Sequence, residues 1–143
     1  MQLKNWLPAV RAKTFAEFET LVKANGCTKV IARPGVDAPD FGPGMVSYDA
    51  TYKTIRSDGR RIEFYEGMGA MIFLPSEGES WRTRERHNFQ GQVTIAHRLM
   101  HLKEELKVNV CIETPSETFD IEKIVEIIEK AKTANIEPLP IKE

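Results

Sequence analysis

The sequence predicts a single α+β domain over residues 1–143, with a mostly antiparallel sheet of four to five strands and about three helices packed on one face. Two observations predict it. Helix-like and strand-like stretches follow the order helix, four strands, helix, strand, helix, and one pair of strands alternates like an antiparallel hairpin. Residues 136–143 carry two prolines, which predict an edge strand or an extended tail.

The first helix is predicted over residues 14–25. Thr14 and Glu17 have the spacing of a capping box, and Asn25-Gly26 is typical of a left-handed helix end. Phe15, Phe18 and Val22 recur at helical spacing and are expected to face the core. Residues 27–33 then predict a strand that ends at Pro34, followed by a loop rich in Gly, Pro and Asp.

The hairpin on either side of Ser57-Asp58-Gly59 is the most readable part of the chain. Apolar and polar residues alternate from Val46 to Tyr52. A two-residue turn would place Ile62 and Phe64 on the wrong face, so we predict a three-residue loop with Gly59 in the left-handed conformation. This register pairs Tyr52 with Phe64, Thr54 with Ile62 and Lys53 with Glu63.

Later elements are predicted from their apolar patterns. Residues 70–74 are an unbroken apolar run, as in a central strand covered on both faces. A second helix is expected over residues 92–106, a strand over 108–113, and a third helix that begins at Thr118 or Asp120. The expected core stripes are Ile95, Leu99, Leu102 and Leu106 in the second helix, and Ile121, Ile124, Val125, Ile128 and Ala131 in the third.

Composition limits the classes of function. The net charge is −1, from 20 basic and 21 acidic residues, so any binding of polyanions must be local. Cys27 and Cys111 lie in apolar strand-like surroundings and predict free thiols in a reducing compartment. No signal peptide or membrane span is recognisable, and we expect a cytoplasmic protein. Self-association through the tail or an exposed helix face is a further expectation.

The segment 79–92 is the candidate binding site. It crowds cations and rings into one polar stretch, and arginine forks match phosphate or carboxylate oxygens while a ring can stack on a base. If the segment is extended, its three arginines share one side. The predicted ligand-binding residues are Trp81, Arg82, Arg84, Arg86 and His87, with Arg60, Arg61 and Phe89 as possible additions. Interspersed Glu77, Glu79 and Glu85 allow the alternative of a solvated, self-paired loop.

The sequence gives weaker support for a catalytic or metal-binding site than for the arginine-rich segment. His97 and His101 have the i, i+4 spacing of zinc ligands, but Arg98 occupies the position where a zinc protease has its Glu. The two histidines lie opposite the predicted core stripe. Asp37 and Asp40 supply too few oxygens for a calcium loop. No glycine elbow or phosphate-cradling loop is present, and no cofactor is expected.

These patterns favour a small non-enzymatic protein that binds an anionic small molecule, a nucleotide or a short nucleic acid through the arginine-rich segment. Two alternatives stay open. One is a protein-interaction or inhibitory module that uses the same Trp and Arg side chains as anchors. The other is a metal-dependent hydrolase that uses His97 and His101.

Overall fold

The computed structural model describes residues 10–35, 46–47, 49–55, 60–67, 70–71, 81–114 and 117–141, and for 46–47, 55, 70–71 and 81–88 it describes the backbone alone. The described strands are β1 (Val10–Ala12), β2 (Lys29–Pro34), β3 (Val46–Ser47), β4 (Ala50–Ile55), β5 (Arg61–Glu66), β6 (Ala70–Met71), β7 (Asn109–Glu113) and β8 (Thr118–Phe119). The described helices are α1 (Phe15–Ala24), α2 (Trp81–Leu106) and α3 (Ile121–Ala134).

The main sheet has six strands in the order β1-β5-β4-β2-β7-β8. Strands β5, β4 and β2 form an antiparallel meander, and β8 is antiparallel to β7. Strands β1 and β7 run parallel to their neighbours β5 and β2. The α+β prediction is therefore confirmed, but the sheet is mixed and larger than the mostly antiparallel sheet of four to five strands that we expected.

The first helix forms as predicted. The Thr14 hydroxyl accepts a hydrogen bond from the Glu17 N–H at 3.1 Å, and Glu17 in turn accepts from the Lys13 N–H at 3.2 Å. Gly26 adopts φ +61° just after the helix, a conformation that glycine reaches without strain. The buried rings of Phe15 and Phe18 lie about 6 Å from those of Tyr52 and Phe64, which fixes α1 over β4 and β5.

The hairpin register is confirmed. Tyr52 lies opposite Phe64, Thr54 opposite Ile62 and Lys53 opposite Glu63. Tyr52, Thr54, Ile62 and Phe64 are buried under the helices, because the pleat turns alternate residues toward the core. The loop residues 57–59 lie outside the described residues.

Three predicted elements need correction. The second helix begins at Trp81 instead of residue 92, so the arginine-rich segment is helical. The alternating run from Val46 to Tyr52 is divided between β3 and β4, which belong to different sheets. Ala70–Met71 pairs with β3 in a separate two-stranded ladder and is not a central strand of the main sheet, while residues 72–74 lie outside the described part.

The third helix begins after Asp120, whose carboxylate accepts from the Lys123 N–H at 3.3 Å. Its core face is rotated slightly from our prediction. Ile127 is buried, whereas Val125 is 40% exposed. All helices contribute to one core with the inward side of the main sheet, which leaves the opposite side, here called the outer sheet face, to residues that alternate with the core positions.

Candidate functional site

The predicted binding segment occupies the first turns of α2. Residues 81–88 have a helical backbone, so the extended conformation that would align the three arginines is not adopted. At 100° per residue, positions 82 and 86 lie one turn apart on one side of the helix, and position 84 lies on the other. Trp81, Arg82, Arg84, Arg86 and His87 remain predicted ligand-binding residues whose side chains lie outside the described part.

Arg60, Arg61 and Phe89, the possible additions to the predicted site, do not lie together. Arg61 lies exposed on β5 and points away from the core, and exposed Arg60 precedes it. Phe89 is half-buried and packs on the core, with the Lys130 ammonium 5.5 Å from its ring centroid. Phe89 therefore has a packing role in the α2–α3 contact.

The two helical histidines contact neighbouring helices. His101 Nε2 lies 2.8 Å from Glu19 Oε1, and its ring packs 5.8 Å from that of Phe15 in α1. His97 is half-buried in a cleft that Lys132 and other residues at the end of α3 line. Burial, then the charges of Arg98 and Lys132, lower the pKa of His97 from its ordinary value of 6.5. Within the described residues, no three His, Cys, Asp or Glu side chains gather as a metal site requires.

The outer sheet face carries an excess of positive charge. Five basic residues on four of the described strands point outward, against three acidic residues on the same face. The basic residues are Arg11, Lys29, Arg33, Lys53 and Arg61, and the acidic residues are Asp49, Glu63 and Glu113, of which Asp49 directly precedes β4 and accepts a hydrogen bond from outward-facing Tyr65. A chain of net charge −1 thus has a locally cationic surface.

The described ion pairs within the outer sheet face involve only some of these basic residues. Arg11 lies 3.9 Å from Glu63, and Arg33 contacts Glu113 through two hydrogen bonds of 2.9 and 3.1 Å. Among the residues that the structure describes, no ion pair involves Lys29, Lys53 or Arg61. Lys53 and Arg61 lie on adjacent strands near the hairpin loop, so two cations share this end of the face with Glu63, which lies opposite Lys53.

An exposed aromatic ring lies at the other end of β5. Tyr65 is 61% exposed although it lies in a regular strand. Its hydroxyl donates a 2.9 Å hydrogen bond to Asp49 Oδ2, and this bond is the largest cause of the raised pKa of Tyr65. An open concavity of about 450 Å³, lined by Arg11, Thr51, Glu63 and neighbouring residues, adjoins the ring.

Two glycines accommodate this hydrogen-bonded pair. A Cβ at Gly67 would stand 3.1 Å from Tyr65 Cε2, and one at Gly35 would stand 2.7 Å from Asp49 Cγ. The Gly35 N–H also donates to the Asp49 carbonyl at 2.9 Å. The two glycines therefore leave the space that the Asp49 carboxylate and the Tyr65 ring occupy.

A buried polar cluster lies on the inward side of the same strands. Arg98 of α2 donates to Glu66 Oε2 through Nε and Nη2 at 3.1 and 3.0 Å, and the Tyr52 hydroxyl donates to Glu66 Oε1 at 2.8 Å. The Arg98 and Glu66 side chains are only 6% and 8% exposed. Burial, followed by the Glu66 charge and hydrogen bond, raises the pKa of Tyr52 well above 10.0.

The C-terminal segment closes this cluster. Residues 136–141 form no described strand and instead run along α2, where Gln90, Thr94 and Arg98 lie one turn apart from each other. Gln90 Nε2 donates to the Glu137 carbonyl at 3.1 Å, and Arg98 Nη2 donates to the Leu139 carbonyl at 3.0 Å. The Leu139 N–H donates to Thr94 Oγ1 at 3.0 Å. The flanking prolines have no N–H, so the segment needs no further acceptors there.

Sequence reasoning missed both the outer face and the buried cluster. The hairpin register already placed Lys53, Glu63 and Tyr65 on one side, but the charge of that side was not compared with the rest of the chain. Around the helix axis, Arg98 lies within about 60° of Leu102, which belongs to the predicted core stripe. This position next to the stripe was the available signal for the burial of Arg98. Its partner Glu66 had no such signal, because the pairing joins distant parts of the chain.

Comparison of the chain with protein-family models, with curated proteins and with solved structures finds no match. Within the described residues, none of the helices combines the length and the apolar character that crossing a bilayer requires.

Proposed function

We propose that this protein binds an anionic ligand, a nucleotide or a short nucleic acid. The observation that carries the proposal is the cationic outer sheet face, where five basic residues share the surface with three acidic ones and an exposed tyrosine. Arginine and lysine attract phosphate groups, and an aromatic ring offers a surface for a base. The helices pack on the other side of the sheet and leave these groups to interact with a ligand.

The outer face is a better-supported site than the arginine-rich segment. Arg61, one of the possible additions from sequence, belongs to this face and lies near Lys53. A described side-chain arrangement supports the face, whereas Arg82, Arg84 and Arg86 are supported by residue type and helical position alone. The segment stays in the proposal as a second contact region.

The experiment is a titration of a fluorescently labelled single-stranded oligonucleotide, followed by anisotropy at several salt concentrations. The variants are Lys53→Ala/Arg61→Ala for the outer face and Arg82→Ala/Arg84→Ala/Arg86→Ala for the segment. Lys23→Ala/Lys132→Ala is the charge-matched control for the face, because both lysines are exposed on helices. Circular dichroism establishes that each variant is folded.

Wild-type protein is expected to bind more weakly as salt rises, because each phosphate contact releases counterions. Each lost contact to a single strand is expected to reduce the log–log salt slope by about 0.7, so the outer-face variant should lose about 1.4. The control variant should keep the wild-type slope. Equal slopes for the outer-face and control variants would overturn the outer face as the site.

An absence of oligonucleotide and nucleotide binding by folded wild-type protein at low salt would overturn the proposal as a whole. A stable complex with a protein recovered under those same conditions would favour the alternative of an interaction module, in which the Trp and Arg side chains contact a partner.

A further inference from the structure

One exposed ring on the outer sheet face is fixed in a way that simple charge binding does not require. Tyr65 is anchored at its hydroxyl by Asp49, and its edge lies close to Gly67, where an added Cβ would stand only 3.1 Å from Cε2. A solvent-exposed tyrosine gains little stability from such an arrangement, because 61% of its surface stays in water. The arrangement does reduce the freedom of the ring, which lowers the entropic cost of stacking a second ring on it.

We propose that Tyr65 is the stacking residue for a base of single-stranded nucleic acid, with the phosphates of that strand directed toward Lys53 and Arg61. This inference rests on the proposed function and deepens it, since an anion can bind the cationic face without a base stacked on Tyr65. Duplex nucleic acid is disfavoured as the ligand, because its bases are already stacked and do not offer a free face.

The positions of the charged side chains indicate where the phosphates of the nucleic-acid strand lie relative to Tyr65. Asp49 accepts the hydrogen bond from Tyr65 and repels phosphates from the end of the face that carries the ring, whereas Glu63 lies opposite Lys53 and pairs with Arg11. Arg61 lies four residues from Tyr65 along β5, which corresponds to roughly 14 Å of extended strand. A base at Tyr65 and a phosphate at Arg61 therefore belong to different nucleotides of one chain, so a polymer fits the site better than a mononucleotide.

The test compares two probes of equal length and charge: an oligothymidylate and the same backbone with abasic residues. Wild-type protein is expected to bind the oligothymidylate about 5- to 150-fold more tightly, which is the range of single-base stacking on an aromatic side chain. Tyr65→Ala should lower oligothymidylate affinity to that of the abasic probe and leave abasic affinity unchanged.

Gly67→Ala provides a second and independent measurement. Gly67 does not have a left-handed backbone, so alanine is compatible with its conformation, but the added Cβ would stand 3.1 Å from Tyr65 Cε2 and would crowd the edge of the ring. The substitution is expected to weaken oligothymidylate binding in the presence of Tyr65 and to have no effect in a Tyr65→Ala background. Tyr65→Phe keeps the ring, loses the Asp49 anchor and should fall between wild type and Tyr65→Ala.

The outcomes separate this inference from the proposed function. Salt-dependent binding of both probes with equal affinity, unchanged by Tyr65→Ala, would overturn the stacking role and leave anion binding in place. A parallel loss of both probes in Tyr65→Ala would likewise overturn it, since that result indicates a general disturbance of the face. Binding of neither probe at low salt would overturn the proposed function, and the stacking role with it.

Discussion

Replacing Arg98 by methionine is expected to destabilise the fold strongly. The substitution removes both hydrogen bonds to Glu66 Oε2 and the one to the Leu139 carbonyl, while it keeps most of the side-chain volume. Glu66 then stays buried with Tyr52 as its remaining described donor. Breaking a buried pair in this way costs about 3–5 kcal/mol in the free energy of unfolding. Solvent screens little of this interaction, because the two side chains are 6% and 8% exposed.

The assay is urea unfolding followed by circular dichroism, together with thermal melts. For a domain of this size, about 3–5 kcal/mol corresponds to a decrease of roughly 6–20 °C in Tm. The double variant Glu66→Gln/Arg98→Met supplies the control. It removes the buried charge and keeps an amide oxygen as acceptor for the Tyr52 hydroxyl, so it should recover at least about half of the lost stability.

Two results would refute this reasoning. A loss below about 1 kcal/mol for Arg98→Met would mean that the pair behaves like an exposed ion pair. A double variant as unstable as the sum of its single variants would show that Arg98 and Glu66 do not interact energetically.

Three further predictions concern the same region. Thr94→Val should lower the free energy of unfolding by about 1–2 kcal/mol, measured in urea, because the Leu139 N–H loses its acceptor. Wild-type stability should fall as pH decreases below 6.5, since the unfolded chain protonates His97 before the folded protein does, and His97→Gln should remove this part of the pH dependence. Stability should also fall as pH rises above 10, by up to about 1.4 kcal/mol per unit, since unfolded Tyr52 ionises first, and Tyr52→Phe should reduce that slope relative to Tyr65→Phe.

The hairpin was predictable because two independent local signals agree. The alternation from Ala50 to Phe64 fixes which residues face the core, and the turn sequence permits a loop length that keeps this register. The caps of α1 and α3 were likewise predictable, because Thr14 and Asp120 act on backbone groups three residues away. These successful predictions all depend on near neighbours in sequence.

Non-local pairing explains most of the errors in the fold. Strand β1 has three residues and joins the sheet beside β5, about fifty positions later, so no local pattern announces it. The parallel pairing of β2 with β7 also depends on a crossover through α2. The early start of α2 was missed because the polar run from Trp81 to Gln90 lacks an apolar stripe, the feature on which the helix prediction relied.

The same distinction between local and non-local information applies to the candidate site. Residue types directed attention to arginine and aromatic side chains, but they did not predict that residues 81–87 are helical. The outer face required the strand order, since Arg11, Lys53 and Arg61 come together only when β1, β5 and β4 are adjacent. Tyr65 required one further fact, the position of Gly67 beside its ring.

The most direct measurement of the central claim is a residue-resolved NMR titration of the folded protein with a single-stranded oligonucleotide at low salt. The account predicts that the largest shift changes follow the outward positions of β4 and β5, including Lys53, Arg61 and Tyr65, and diminish as salt is added. Changes confined to the region of Arg82–His87, with those strand residues unaffected, would contradict the outer sheet face as the binding site. A spectrum that does not change at all would contradict the binding function itself.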